Sequence, residues 1–327
     1  MTSRQHISPS TRKGLSRRGG LIGFFYELFR NRTLYAMLLP AMGFVALFSY
    51  VPMVGIYYAF TNYNYVGGLF GSPFVGLSNF RFFFYGGTHS PVWELTRNTL
   101  LYNIVFIFVG NFMQCLMAVL LTGIVSRFFR RVTQTLMLLP YFVSFVIVGT
   151  IAYNIFNVEF GSLNTLLKAL DMSPINLYSQ PAAWPFIITF FNIWKGLGYG
   201  TVIYLAAIMG IDSEIYEAAR IDGCSIFQEI RLITLPLLKP TIVTLILFAL
   251  GGIMRGQFDL FYQLIGRNGQ LFPTTDIIDT YVYRSLTFNF NIGLSTAAGL
   301  YQSLFGLITV MTINLIVRKV DPENALF

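Results

Sequence analysis

Charged residues are few in this chain: Asp, Glu, Lys and Arg make up 11% of its 327 residues, against about 25% in ordinary soluble domains. That shortage excludes a soluble globular protein. There are only two cysteines, Cys115 in an apolar run and Cys224 in a polar loop, so a disulfide between them is not expected. The only two histidines, His6 and His89, fall on opposite sides of the membrane in the topology derived below, and no metal site can be assembled from this set. No Gly-x-x-x-x-Gly-Lys-Ser/Thr stretch is present, so the chain has no phosphate loop of that kind for a nucleotide. No cofactor is expected on the chain itself.

What is abundant is apolar: 55% of the residues are hydrophobic and 17% aromatic. Six runs are long enough for a hydrocarbon core that takes roughly 20 helical residues, near 34–60, 98–124, 132–156, 184–209, 240–265 and 292–317. The expected class is an all-α polytopic membrane protein with six transmembrane helices. The basic residues divide unevenly between its two faces. Fifteen of the 22 Lys and Arg lie before the first run, after the second, after the fourth and after the sixth; four, Arg81, Lys168, Arg267 and Arg284, lie on the other side. Basic loops stay inside, so both termini and the loop at 210–239 are expected to be cytoplasmic. The net charge of +8 then reflects topology and attraction to anionic lipid headgroups, with no nucleic-acid partner. The domain reading is a basic tail at 1–33 with a surface helix near 20–29, a six-helix transmembrane body at 34–318, and a short tail at 319–327. Ser16-Arg17-Arg18 ahead of an apolar run resembles a twin-arginine export signal, but no small-residue cleavage site follows and five more apolar runs do.

The loop at 210–239 is the polar exception. Asp212, Glu214, Glu217, Arg220, Asp222, Glu229 and Arg231 are too costly for hydrocarbon. It reads as two short helices: Asp212 or Ser213 caps the first, Gly223 ends it, and Ser225 to Gln228 forms a capping box for the second. Pro236 is expected to stop that helix and Pro240 to begin the next span. Polar groups inside the spans mark the other candidate site. Trp194, Lys195, Gly196 and Tyr199 fall in the fourth run, with Lys195 about 16 Å along it at 1.5 Å per residue. Arg255, Gln257 and Asp259 fall in the fifth, and Asn103, Asn111 and Gln114 in the second. Two readings stay open for each: a route for a polar solute, or internal partners such as Arg255 with Asp259, Lys195 with Asp259, and glycines for close helix packing. An integral membrane enzyme would need a nucleophile, acid–base pair or metal ligands at one depth, and no such grouping is found. A secondary transporter would show ionisable relays or matched interrupted repeats, which are not visible.

The spacing Glu217-Ala218-Ala219, Gly223, Ile233, Leu235-Pro236, within Tyr216 to Cys224 and Leu235 to Pro240, resembles the signature loop of bacterial ATP-binding-cassette importer permeases, carbohydrate-uptake branch. Arg30-Asn31-Arg32, Val51-Pro52, Phe60 to Tyr63 and Val75 to Phe80 resemble its oligosaccharide members. The resemblance implies a type I importer permease fold in a bacterial cytoplasmic membrane. It also implies coupling through Glu217, Ala218, Ala219, Asp222, Gly223, Ile233, Leu235 and Pro236 to cytoplasmic ATPase subunits that bind the ATP. Further implied partners are a second permease subunit, an extracytoplasmic solute-binding protein and an oligosaccharide, with another small organic solute as the alternative cargo. The fourth span is similar to that of maltose-importer permeases, where the positions of Gly196 and Tyr199 contact sugar. Lys195 departs from the apolar residue found there, which points toward acidic, uronate-containing sugars.

Overall fold

The computed structural model describes residues 30–81 and 90–320; the surface helix expected near 20–29, His6, His89 and the tail beyond 320 lie outside the described residues. These fall into two units, residues 1–55 and 56–327. In the first, α1 (Arg32–Val45) runs into a π-turn at Ala46–Tyr50 and then a 3-10 stretch beginning at Val51. None of the α1 side chains is buried, as suits an apolar helix surrounded by lipid.

The second unit is helical, with one isolated bridge, Thr61 to Phe74, among the described residues. Its elements begin with α2 (Pro91–Thr122), α3 (Arg127–Phe142), α4 (Phe145–Phe156) and α5 (Ser162–Ala169). The chain continues with α6 (Trp184–Met209), α7 (Ser213–Ile221) and α8 (Ile226–Glu229), then a π-turn at Ile230–Thr234 leading into α9 (Leu235–Leu250). It ends with α10 (Phe258–Ile265), α11 (Ile278–Thr287) and α12 (Ile292–Val320). Among the described residues, five helical stretches are long and apolar enough to cross a membrane, and α3 with α4 makes a sixth as a bent pair.

Two expected spans are corrected. The third is not one rod: α3 and α4 meet at 97°, because Val143 and Ser144 leave the helical conformation and the Ser144 hydroxyl caps α4 by accepting from Ile147 N. The fifth does not reach Ile265. It occupies Ile226–Leu250, and after Gly251-Gly252 the chain turns, with Ile253 N donating to Leu250 O, before α10 begins. Pro236 therefore does not stop its helix, and Pro240 lies inside α9. A proline has no N–H and its ring collides with the carbonyl four residues earlier. The π-turn widens the helix at that point, with Leu235 N bonding back to Ile230 O. The same device precedes Pro52, where Val51 N reaches Ala46 O. In both places the proline comes two residues after the π-turn ends.

The core gathers α4, the start of α6 and α10: Val148, Ala152, Trp184, Ile188, Leu260 and Phe261 are each at most 1% exposed. Glycines set the closest approaches. A Cβ on Gly198 would sit 2.0 Å from the Met137 carbonyl of α3, and one on Gly149 2.6 Å from the Gln263 carbonyl of α10. Outward-facing Phe108, Phe112, Phe186, Phe190, Phe248 and Ile308 are exposed, which suits hydrocarbon. Two of the segments that resemble oligosaccharide permeases, 60–63 and 75–80, meet in one lock: Asn79 Nδ2 donates to Ala59 O and Thr61 O at 3.0 and 2.9 Å, and Gly293 of α12 closes on Asn79 and Thr61.

Gly198→Ala is expected to destabilise the protein by about 1–3 kcal/mol through overpacking against α3. Gly110→Ala, where an added Cβ meets nothing within 4 Å, is expected to be neutral or slightly stabilising. Thermal unfolding of the two variants in detergent checks the contrast, and equal midpoints would refute it.

Candidate functional site

The helix–turn–helix at 212–234 is built from local rules. Asp212 Oδ1 accepts from Glu214 N, Glu214 sits at the positive end of α7, and Arg220 at the negative end. Gly223 has φ +80, with Cys224 N bonding to Ala219 O and Gly223 N to Arg220 O. This is a Schellman end that only glycine adopts without strain. An added Cβ there meets nothing within 4 Å, so the demand for glycine is conformational. Ser225 and Gln228 exchange both capping-box bonds.

Two ties join the helices. Arg220 Nε meets Glu229 Oε1 at 2.9 Å, and Tyr216 Oη lies 3.0 Å from Thr234 Oγ1. Tyr216 and Arg220 are four apart and share a face of α7. Glu229 and Thr234 are five apart, and the π-turn brings both inward, leaving them 6% and 4% exposed. The Thr234 hydroxyl also donates to Glu229 O. The hydrogen bond that Arg220 donates to Glu229, then the charge of that carboxylate, push the guanidinium above its already high pKa. Of the residues singled out in the sequence, Glu217, Ala218, Asp222, Gly223, Leu235 and Pro236 are exposed, Ile233 is half-buried and Ala219 is buried. Sequence reasoning missed the tip: Ile221, Ile226 and Phe227 are 86%, 71% and 72% exposed. The signal was available, since three apolar residues flank a turn in the charge-rich loop at 210–239.

In the spans the structure favours internal partners for most polar groups. Lys195 Nζ donates to the carbonyls of Pro140, Tyr141 and Val143 at 3.3, 2.8 and 2.5 Å. It makes no ion pair with Asp259, nor does Arg255: among the described residues the ion pairs are Arg220–Glu229 and Arg284–Asp276. Arg255 and Gln257 lie in the turn after α9 and Asp259 in the first turn of α10, so the helical spacing that would pair Arg255 with Asp259 does not exist. Asn111 accepts from Tyr204 Oη and Gln114 donates to Gly196 O, joining α2 to α6. Asn103 donates to Arg255 O. Asp279, absent from the sequence reading, accepts from Gly256 N at 2.7 Å and from Gln302, which also donates to Met254 O. Trp194 packs edge-on against Phe191, and Tyr199, half-exposed, stacks on Tyr141 with ring centres 4.9 Å apart. The fourth-span and fifth-span candidates are not joined by any hydrogen bond or ion pair.

Comparison with known proteins places this geometry. The chain is 33% identical over 298 residues to the polygalacturonan/rhamnogalacturonan transport system permease protein YteP of Bacillus subtilis (strain 168), covering 91% of each. It is 32% identical over 303 residues to Protein LplB of the same organism, covering 93% of this chain and 94% of the relative. A chain of a bacterial alginate transporter, solved with an alginate pentasaccharide-bound periplasmic protein, superposes with a TM-score of 0.79 at 30% identity, covering 90% of this chain and 97% of that one. Residues 107–322 match the model of the family described as binding-protein-dependent transport system inner membrane component. With that match spanning α3 to α12 and the helix–turn–helix between them, the chain belongs to the inner-membrane components of binding-protein-dependent transport systems.

Proposed function

We propose that this chain is the permease subunit of an ATP-driven importer of oligosaccharides, acidic ones included, in a bacterial cytoplasmic membrane. The observation that carries the reading is the rigid, exposed helix–turn–helix, with an apolar tip at Ile221, Ile226 and Phe227 rimmed by Glu217, Arg220 and Asp222. Apolar groups fully open to water at a charge-rich turn suit a cleft on a partner protein. The partner is an ATPase pair that supplies the nucleotide chemistry. A second permease and a solute-binding protein complete the assembly; the alginate transporter was solved with such a periplasmic protein. The excess of basic residues on that face supports a cytoplasmic side for the loop. The polygalacturonan/rhamnogalacturonan in one relative's name and the acidic polysaccharide alginate of the solved transporter support a uronate-containing cargo. With the Lys195 ammonium held by carbonyls, exposed Arg255 is the path residue best suited to meet a carboxylate.

Co-purification from co-expressed subunits tests the coupling. Glu217→Lys, Gly223→Asp and Phe227→Asp are each expected to lose the ATPase or its drive of uptake by about tenfold or more, with membrane insertion unchanged. Retention of both ATPase and uptake in all three would overturn the reading.

Cargo charge has its own test. Arg255→Gln is expected to cut uptake of uronate oligosaccharides about tenfold or more while sparing neutral ones, given the strength of charged hydrogen bonds. An equal effect on both cargoes would remove Arg255 from recognition.

A further inference from the structure

The last turn of α3, none of whose residues is buried, leaves carbonyls that the helix itself does not satisfy. The carbonyls of Tyr141 and of Val143, the residue that caps α3, receive the Lys195 ammonium, as does that of Pro140, which also accepts from Val143 N. On the far side of the corner the Ser144 hydroxyl serves α4, so the two halves of the bend are capped separately. The cation also faces the negative end of the α3 dipole, and lies 4.9 Å from the Phe145 ring centre and 5.8 Å from that of Tyr141.

Lys195, Gly198 and Tyr199 are spaced i, i+3, i+4 and lie on one face of α6. All three engage the same piece of chain. Lys195 takes the carbonyls, Gly198 admits the Met137 carbonyl to contact, and Tyr199 stacks on Tyr141. The other end of α6 is Met209, about 21 Å away along the helix, and only three residues separate it from α7. One continuous helix thus links the helix–turn–helix to the corner of the third span.

We propose that Lys195 is a positioning residue that clasps the α3–α4 corner to α6, so that motion of the helix–turn–helix reaches the bent span. It is not a ligand for cargo. The transport role rests on the permease reading above; the corner itself can be measured without it.

The test uses the full chain with spin labels at exposed Leu136 and Ile151, one on each arm of the bend, and, separately, the assembled importer in vesicles. Lys195→Met keeps the length and removes the ammonium. It is expected to broaden the label-to-label distance distribution and to lower maximal uptake about tenfold or more, as loss of several charged hydrogen bonds implies. Half-saturating cargo should stay within about twofold, because no cargo contact is lost, and neutral and uronate cargo should be affected alike. Lys195→Arg, which keeps the charge and the donors, should restore the narrow distribution and much of the uptake. If Lys195→Met inserts poorly, Lys195→Gln should show the same broadening to a smaller degree. An unchanged distribution with selective loss of uronate uptake would overturn the proposal and make Lys195 a cargo ligand. Broadening with normal maximal uptake would equally overturn it. If the ATPase fails to associate with the unmutated chain, the coupling reading falls, while the distance measurement still decides whether the clasp exists.

Discussion

In hydrocarbon, a backbone N–H or C=O that leaves a helix must find its partner inside the protein, and the described spans are arranged around that requirement. One of them is interrupted, and another ends at Leu250 in an irregular turn. The α3–α4 corner exposes carbonyls that Lys195 takes, and the turn after α9 exposes an amide and carbonyls that Asp279, Gln302 and Asn103 take. The polar residues of the spans are thus largely used in satisfying irregular backbone. The chain can hold bent elements among its apolar helices because it carries these few side chains.

Close packing follows from the same arrangement. Lys195 reaches its three carbonyls because Gly198, one turn further on, lets α6 approach the α3 backbone, and Gly149 does the same for α4 against α10. Side-chain bonds between α2 and α6, from Tyr204 to Asn111 and from Gln114 to Gly196, add register to that approach. The apolar core of Trp184, Ile188, Leu260 and Phe261 sits where the broken elements converge, so packing and backbone satisfaction reinforce one another.

Much of this was legible in the residues. Low charge and long apolar runs marked the spans, and the caps of α7 and α8 could be read from Asp212, Gly223, Ser225 and Gln228 because their partners lie within a few positions. What escaped was non-local or turned on a broken period. The partners of Lys195 lie 52–55 residues away, beyond the reach of any helical spacing. Arg255 and Asp259 looked like a pair only on the assumption of a continuous fifth helix, which Gly251-Gly252 interrupts. Pro236 looked like a stop because a proline clash is usually resolved by ending a helix, whereas here one wider turn absorbs it. The tie from Arg220 to Glu229 joins two charges that were both visible, but their meeting depends on the turn between them.

That wider turn also governs orientation. In a regular helix, positions five apart point about 140° away from each other, so Glu229 and Thr234 could not both face α7. The extra residue at Ile230–Thr234 brings them into line, and each is gripped from the opposite side. A rod held at two heights on one flank cannot spin about its axis without releasing both grips. Any displacement applied to the loop is therefore handed to α9 as tilt or translation, with its azimuth preserved.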